Sequence, residues 1–151
     1  EINPDSGISV QQVRKLGYRE RSNKKIIVVE DSPLLRKLLS TTLTEAGFEN
    51  IEFFENGQEA LFFIEKSAES VKDITEIIQM VVTDIEMPLM DGHHLTKRIK
   101  GNKELSKLPV IIFSSLITDD LRHKGQVVGA NAQVSKPEIG ELIQLIDEHI
   151  L

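Results

Sequence analysis

The chain has 151 residues, no cysteine, and 18 Lys and Arg against 24 Asp and Glu, for a net charge of -6. This length fits one domain of roughly 100 to 200 residues, large enough to bury a core unaided, and the lack of cysteine excludes thiolate metal sites and a cysteine nucleophile. The acidity argues against a general nucleic-acid binder, no apolar run nears the roughly 20 residues of a membrane span, and no signal-peptide order opens the chain, so a cytoplasmic protein is expected.

Residues 1–23 differ from the rest. The turn-forming Asn3-Pro4-Asp5-Ser6-Gly7 precedes a mixed basic stretch, which reads as a linker or the tail of a missing N-terminal domain, with a short strand at 8–10 and a helical turn at 11–16. The first residue is Glu1 rather than methionine, which points to a longer parent chain. From Lys24 the pattern becomes regular, and 24–151 is expected to be the folded domain.

The apolar run 25–29 predicts a first strand. Ser32 is a good N-cap and Pro33 suits a first helical position, where a missing N–H costs nothing; Leu35, Leu38, Leu39, Leu43 and Ala46 then recur at helical spacing until Gly47. A second strand at 51–54 closes at Asn56-Gly57, and a second helix carries Ala60, Leu61, Ile64 and Ala68. The stretch 67–78 is either an extension of that helix or a separate short one. A third strand spans 79–84, followed by breaks at Pro88 and Asp91-Gly92 and a helix at 94–100. A strand at 110–114, a helix at 119–128, a strand at 133–135 and a helix with Ile139, Leu142, Ile143, Ile146 and Ile150 on one side complete the chain. Short apolar runs alternating with amphipathic helices imply βαβ units and a parallel sheet.

The strand ends carry the chemistry. The runs stop at Glu30-Asp31, Asp84, Ser114-Ser115 and Lys136-Pro137, and in open α/β sheets ligands bind beyond the carboxyl ends of the strands. Adjacent acids at the end of a buried strand are costly without a cation, and Mg2+ favours one or two carboxylates plus phosphate oxygens and waters. Asp31 and Asp84 are then the direct ligands, with Glu30 acting through water and a backbone carbonyl at Glu86 completing the set. Lys136 and Ser114 would serve an anion. Together these parts suit phosphoryl transfer, in which a protein mainly positions groups and neutralises charge. Asp84, between the acid pair and the Ser114 and Lys136 side, is the best candidate to accept the phosphoryl group. Singly, each has a plain structural reading: a helix cap for the acid pair, a turn for Asp84, a solvated lysine for Lys136. The conjunction is far more specific. His93, His94, His123 and His149 are expected on helix surfaces without a role.

These residues, in this order, resemble the receiver domains of two-component response regulators over about 24–151. The resemblance implies a flavodoxin-like doubly wound sheet of order 2-1-3-4-5 with helices on both faces. It makes Asp84 the phosphoacceptor, Glu30 and Asp31 the acid pair, Ser114 the switch hydroxyl and Lys136 the phosphate-contacting lysine before a cis Pro137. It also implies a signalling domain rather than an enzyme, phosphorylated by a histidine kinase with Mg2+. Met90-Asp91-Gly92-His93-His94-Leu95, Phe113-Ser114-Ser115-Leu116-Ile117 and Ser135-Lys136-Pro137-Glu138-Ile139 look most like the receiver half of CheV-type chemotaxis coupling proteins. In that family a CheW-like adaptor precedes the receiver and couples chemoreceptors to the kinase.

Three departures stand out. Gln133 occupies a position where many receivers carry an aromatic, Glu86 adds an acid near the acceptor, and 67–78 is longer than in a minimal receiver. Alternatives from other classes are a receiver-like interaction module that is never phosphorylated and a phosphatase using Asp84-Ile85-Glu86. The phosphatase would need further acids and a cap. A flavin-binding flavodoxin would want a phosphate loop where Glu30-Asp31 stands.

Overall fold

The computed structural model describes residues 20–115 and 117–151. The expected strand at 8–10, the turn at 11–16 and most of the expected linker lie outside the described residues. From Lys24 the chain alternates strand and helix as the sequence predicts: β1 (Lys25–Val29), α1 (Pro33–Glu45), β2 (Asn50–Phe54), α2 (Gly57–Ala68), β3 (Met80–Thr83), α3 (Gly92–Lys100), β4 (Val110–Ser114), α4 (Asp119–Val127), β5 (Ala132–Ser135) and α5 (Ile139–Ile150). All neighbouring strands are parallel, in the order β2-β1-β3-β4-β5.

Strand pleating divides the core. Ile27, Val29, Val81 and Val110 pack with Leu61, Ile64, Leu95 and Ile99 of α2 and α3, while Ile26, Val28, Val82, Ile111 and Val134 face Leu39, Leu43, Leu142 and Ile146 of α1 and α5. Because successive side chains point to opposite faces and both faces are covered, β1, β3 and β4 read as unbroken apolar runs rather than alternating ones.

The local signals explain the boundaries. Ser32 accepts from the Leu35 N–H with Pro33 at the first position of α1, an arrangement worth about 1 kcal/mol. Gly47 follows that helix with φ 105°, a left-handed conformation that glycine takes without a Cβ penalty. Asn56, Asp91 and Thr118 cap α2, α3 and α4 in the same manner. The Asp91 cap starts α3 at Gly92, two residues before the expected His94. The segment 67–78 resolves as the end of α2 and a separate 3-10 turn, Ile74–Glu76, whose Ile74 is buried along with Ile78. Just ahead of β1, residues 20–22 are helical. There Arg21 grips Asp147 through two hydrogen bonds, donates to the Ala46 carbonyl at 2.7 Å and lies over the Phe48 ring at 5.3 Å. No helix among the described residues is long and apolar enough to cross a membrane.

Candidate functional site

Parallel register brings the strand ends into one rim. Val29 pairs with Thr83, Thr83 with Ile112, and Ser114 with Ser135; the ladder continues one step beyond the strands, with the Asp84 N–H on the Val29 carbonyl and the Lys136 N–H on the Ser114 carbonyl, both at 3.0 Å. Glu30, Asp84, Ser114 and Lys136 therefore emerge on the same edge, with Asp84 on the middle strand.

Lys136 joins them. Its Nζ lies 2.5 Å from Glu30 Oε1 and 3.2 Å from Asp84 Oδ2, and 5.9 Å from the centre of the Phe113 ring. Carboxylate oxygens of Glu30, Asp31 and Asp84 lie within 4.8 Å of one another. Glu30 is buried, Asp84 half-buried and Asp31 exposed, so the cluster is anchored inside and opens to solvent on the Asp31 side. Burial pushes the Glu30 carboxyl above its usual range, the hydrogen bond from Lys136 opposes that rise, and the neighbouring Asp84 adds to it. Three hard oxygen donors with an open side suit a small divalent cation, which would also relieve the repulsion among them.

The backbone holds the acids in place. Glu30 Oε2 accepts from the Ser32 N–H at 3.2 Å, and Arg36 donates to the Glu30 carbonyl at 2.7 Å. Asp84 Oδ1 accepts from the Ile85 N–H at 2.7 Å, and the buried Thr83 hydroxyl donates to the Asp84 carbonyl at 2.9 Å. The loop after Asp84 folds back so closely that a Cβ on Gly92 would stand 1.9 Å from the Asp84 carbonyl oxygen, while the Gly92 N–H donates to Ile85. Leu89 in this loop has φ 66°, uncommon for a residue with a side chain.

Of the residues expected at the site, Glu30, Asp31, Asp84, Ser114 and Lys136 lie at this rim. Ser114, at the end of β4, is buried, the Lys136-Pro137 bond is cis, and Glu86 is exposed, outside the carboxylate cluster. The supporting roles of Arg36, Thr83 and Gly92 were not legible beforehand. Asp91-Gly92 had signalled only a turn; the close approach to Asp84 is its second cause. One expectation is corrected: His93 is 2% exposed, not on a helix surface. It stands beside the buried Gly92, Leu95, Thr96 and Ile99 stripe of α3, with its ring near the Leu121 backbone of α4 and its Nε2 without a hydrogen-bond partner among the described residues. At the departure noted on β5, the Gln133 amide donates to the Arg122 carbonyl of α4 at 2.8 Å.

Comparison with known proteins identifies the family. Residues 26–147 match the family model of the response regulator receiver domain. The chain is 30% identical over 115 residues to the chemotaxis protein CheY-3 of Vibrio cholerae, covering 76% of this chain and 82% of that protein, and 27% identical over 120 residues to CheV3 of Helicobacter pylori, covering 79% and 38%. It is 31% identical over 125 residues to a gliding motility regulatory protein of Myxococcus xanthus, covering 82% of this chain but only 15% of that one. In structure it overlays on the receiver domain of a Pseudomonas aeruginosa sensor histidine kinase, described with a magnesium ion coordinated in the active site cleft. That match has a TM-score of 0.70 and 22% identity, and it covers 85% and 98% of the two chains. This chain belongs to the response regulator receiver domain family of two-component signalling.

Proposed function

We propose that Asp84 is the phosphoacceptor of a chemotaxis signalling domain, charged by the phosphohistidine of a histidine kinase with Mg2+ bound. The observation that carries this reading is the Lys136 ammonium 3.2 Å from Asp84 Oδ2, beside a three-carboxylate cluster at the end of the middle strand. In the transfer, an Asp84 carboxylate oxygen forms the new P–O bond, the P–N bond to the donor imidazole breaks, and the imidazole leaves with that electron pair and takes up a proton. Asp31 and Asp84 would hold the cation directly, Glu30 through water, and the Glu86 carbonyl would complete the protein's share. When bound, the cation supplies neutralisation of negative charge on the phosphoryl oxygens.

The chain's own residues supply the response. The acyl phosphate adds roughly one negative charge to the carboxylate it replaces, within reach of Lys136 and Ser114. The Ser114 carbonyl also accepts from the Lys136 N–H, so movement of either strand end is felt by the other and by the segment leading to α4. A full reversal of a two-state population needs about 5.5 kcal/mol of differential stabilisation, so a partial bias is the expected output. Incubation with a small acyl-phosphate donor and Mg2+, followed by mapping of the modified residue, tests the assignment. Label that persists in Asp84→Asn rejects it.

The kinship to CheV3 and CheV1 of Helicobacter pylori supports a finer reading: a CheV-type protein of the cytoplasm, with residues 1–23 linking the receiver to a CheW-like adaptor and the receiver modulating coupling between chemoreceptors and kinase. The sequence encoded ahead of Glu1 tests this reading, since an unrelated domain there would overturn it.

A further inference from the structure

The charge of this protein is unevenly distributed. Between His93 and Lys124 the chain carries seven Lys and Arg against three Asp and Glu, although the whole chain is -6. Some of those cations are committed elsewhere: the Lys100 ammonium donates to the Ser106 and Leu108 carbonyls, and Lys107 pairs with Asp73. Lys97, Arg98 and Lys124 instead line an open groove of about 910 Å³ between α3 and α4. Among the described residues Lys97 and Lys124 have no ion pair, and Arg98 has only Glu65, at 3.9 Å. The other acid on the groove, Asp91, is held as the cap of α3 by the His94 N–H at 2.7 Å.

The far end of the groove is apolar. Val127 at the end of α4 is 70% exposed and lines it together with Val128. The buried His93 lines the groove from α3, with its ring near the Leu121 backbone of α4. The groove is thus a preformed trough with cations on both walls and an aliphatic end.

We propose that the α3–α4 groove docks an acidic peptide segment of a partner protein, its carboxylates meeting Lys97, Arg98 and Lys124 and an aliphatic side chain covering Val127. Charge complementarity favours a peptide over a nucleic acid. The groove's own Glu65 and Asp91 and the net negative chain repel a continuous polyanion, whereas spaced carboxylates can avoid them, and the exposed valine gains from an aliphatic partner. This surface is separate from the acid cluster, and it is tested without phosphorylation, so it stands or falls apart from the role of Asp84.

The test titrates the full chain, without phosphodonor, into a labelled synthetic peptide bearing glutamates and leucines at helical spacing. Anisotropy reports affinity, and amide NMR shifts report the contact. Binding is expected at low salt, with shifts on α3 and α4, weakened on the order of tenfold by Lys97→Glu with Lys124→Glu and again at about 0.15 M salt. Val127→Ser should weaken it without changing the salt dependence. All three positions are exposed, and unchanged far-UV dichroism would show that the variants fold. No binding, equal binding of a lysine counterpart or of a single-stranded oligonucleotide, or shifts centred on another face would each overturn the proposal.

Discussion

The Gln133 side chain and Gly125 fill one space: a Cβ on Gly125 would stand 2.3 Å from Gln133 Oε1. Gly125 is the buried residue of α4, so this helix seats on a polar amide, which also donates to Arg122. Alanine at 125 gains about 1 kcal/mol of helix propensity but forces an overlap of a kind that costs about 1–3 kcal/mol. Gly125→Ala should therefore destabilise the protein alone and stabilise it in a Gln133→Ala background. Urea unfolding of the four-member cycle measures the coupling, and equal effects in both backgrounds would show that the amide does not position α4.

Lys136 neutralises a buried acid. With the side chains of Lys136 and Glu30 only 8% and 3% exposed, Lys136→Met leaves Glu30 without its closest cation, a loss of about 3–5 kcal/mol for a buried pair. Burial already raises the Glu30 pKa above its ordinary value of 4.5, and Lys136 opposes that rise. The variant's penalty is thus full above the raised folded value of Glu30 and shrinks as pH falls through that value, because the folded state takes up the proton first. Denaturant midpoints across this range decide it; a constant deficit would be wrong for this cause.

His93 works in the opposite sense. Burial, then Lys124, lowers its pKa from 6.5, so the unfolded chain protonates first. Its contribution is complete above pH 6.5 and is lost as pH falls through the depressed folded value. His93→Gln should flatten the stability profile below pH 6.5 relative to the parent, as read by thermal melts. An unchanged slope would place the pH sensitivity elsewhere.

Divalent binding should report on the acid cluster without phosphorylation. If Mg2+ binds only the folded state, stabilisation reaches about 2.7 kcal/mol at a hundred times its Kd. The melting temperature should rise with Mg2+ in the parent, and the rise should vanish in Asp31→Ala, whose carboxylate forms the open side of the cluster. A persistent rise would mean that the ion binds elsewhere.

Much was legible in the sequence because the signals are local. Apolar runs fixed the strands, caps such as Ser32-Pro33 and breaks such as Gly47 fixed the helix ends, and parallel topology carried Glu30, Asp31, Asp84, Ser114 and Lys136 to one edge before any coordinate was known. The shorter separations were not legible. Whether Lys136 turns to Glu30, how close Gly92 comes to Asp84, and that His93 is buried rather than exposed depend on side-chain direction between segments far apart in the chain.

By itself, then, the sequence determined the order of elements, the parallel sheet and the rim where the polar groups gather, since periodicity and turn chemistry act over a few residues. The tertiary structure alone decided which of those groups touch, how α4 rests on Gln133, and where the unpaired lysines face each other across a groove. Packing between α3, α4 and β5 has no local code: it is set by the fit of side chains that meet only after the sheet has formed.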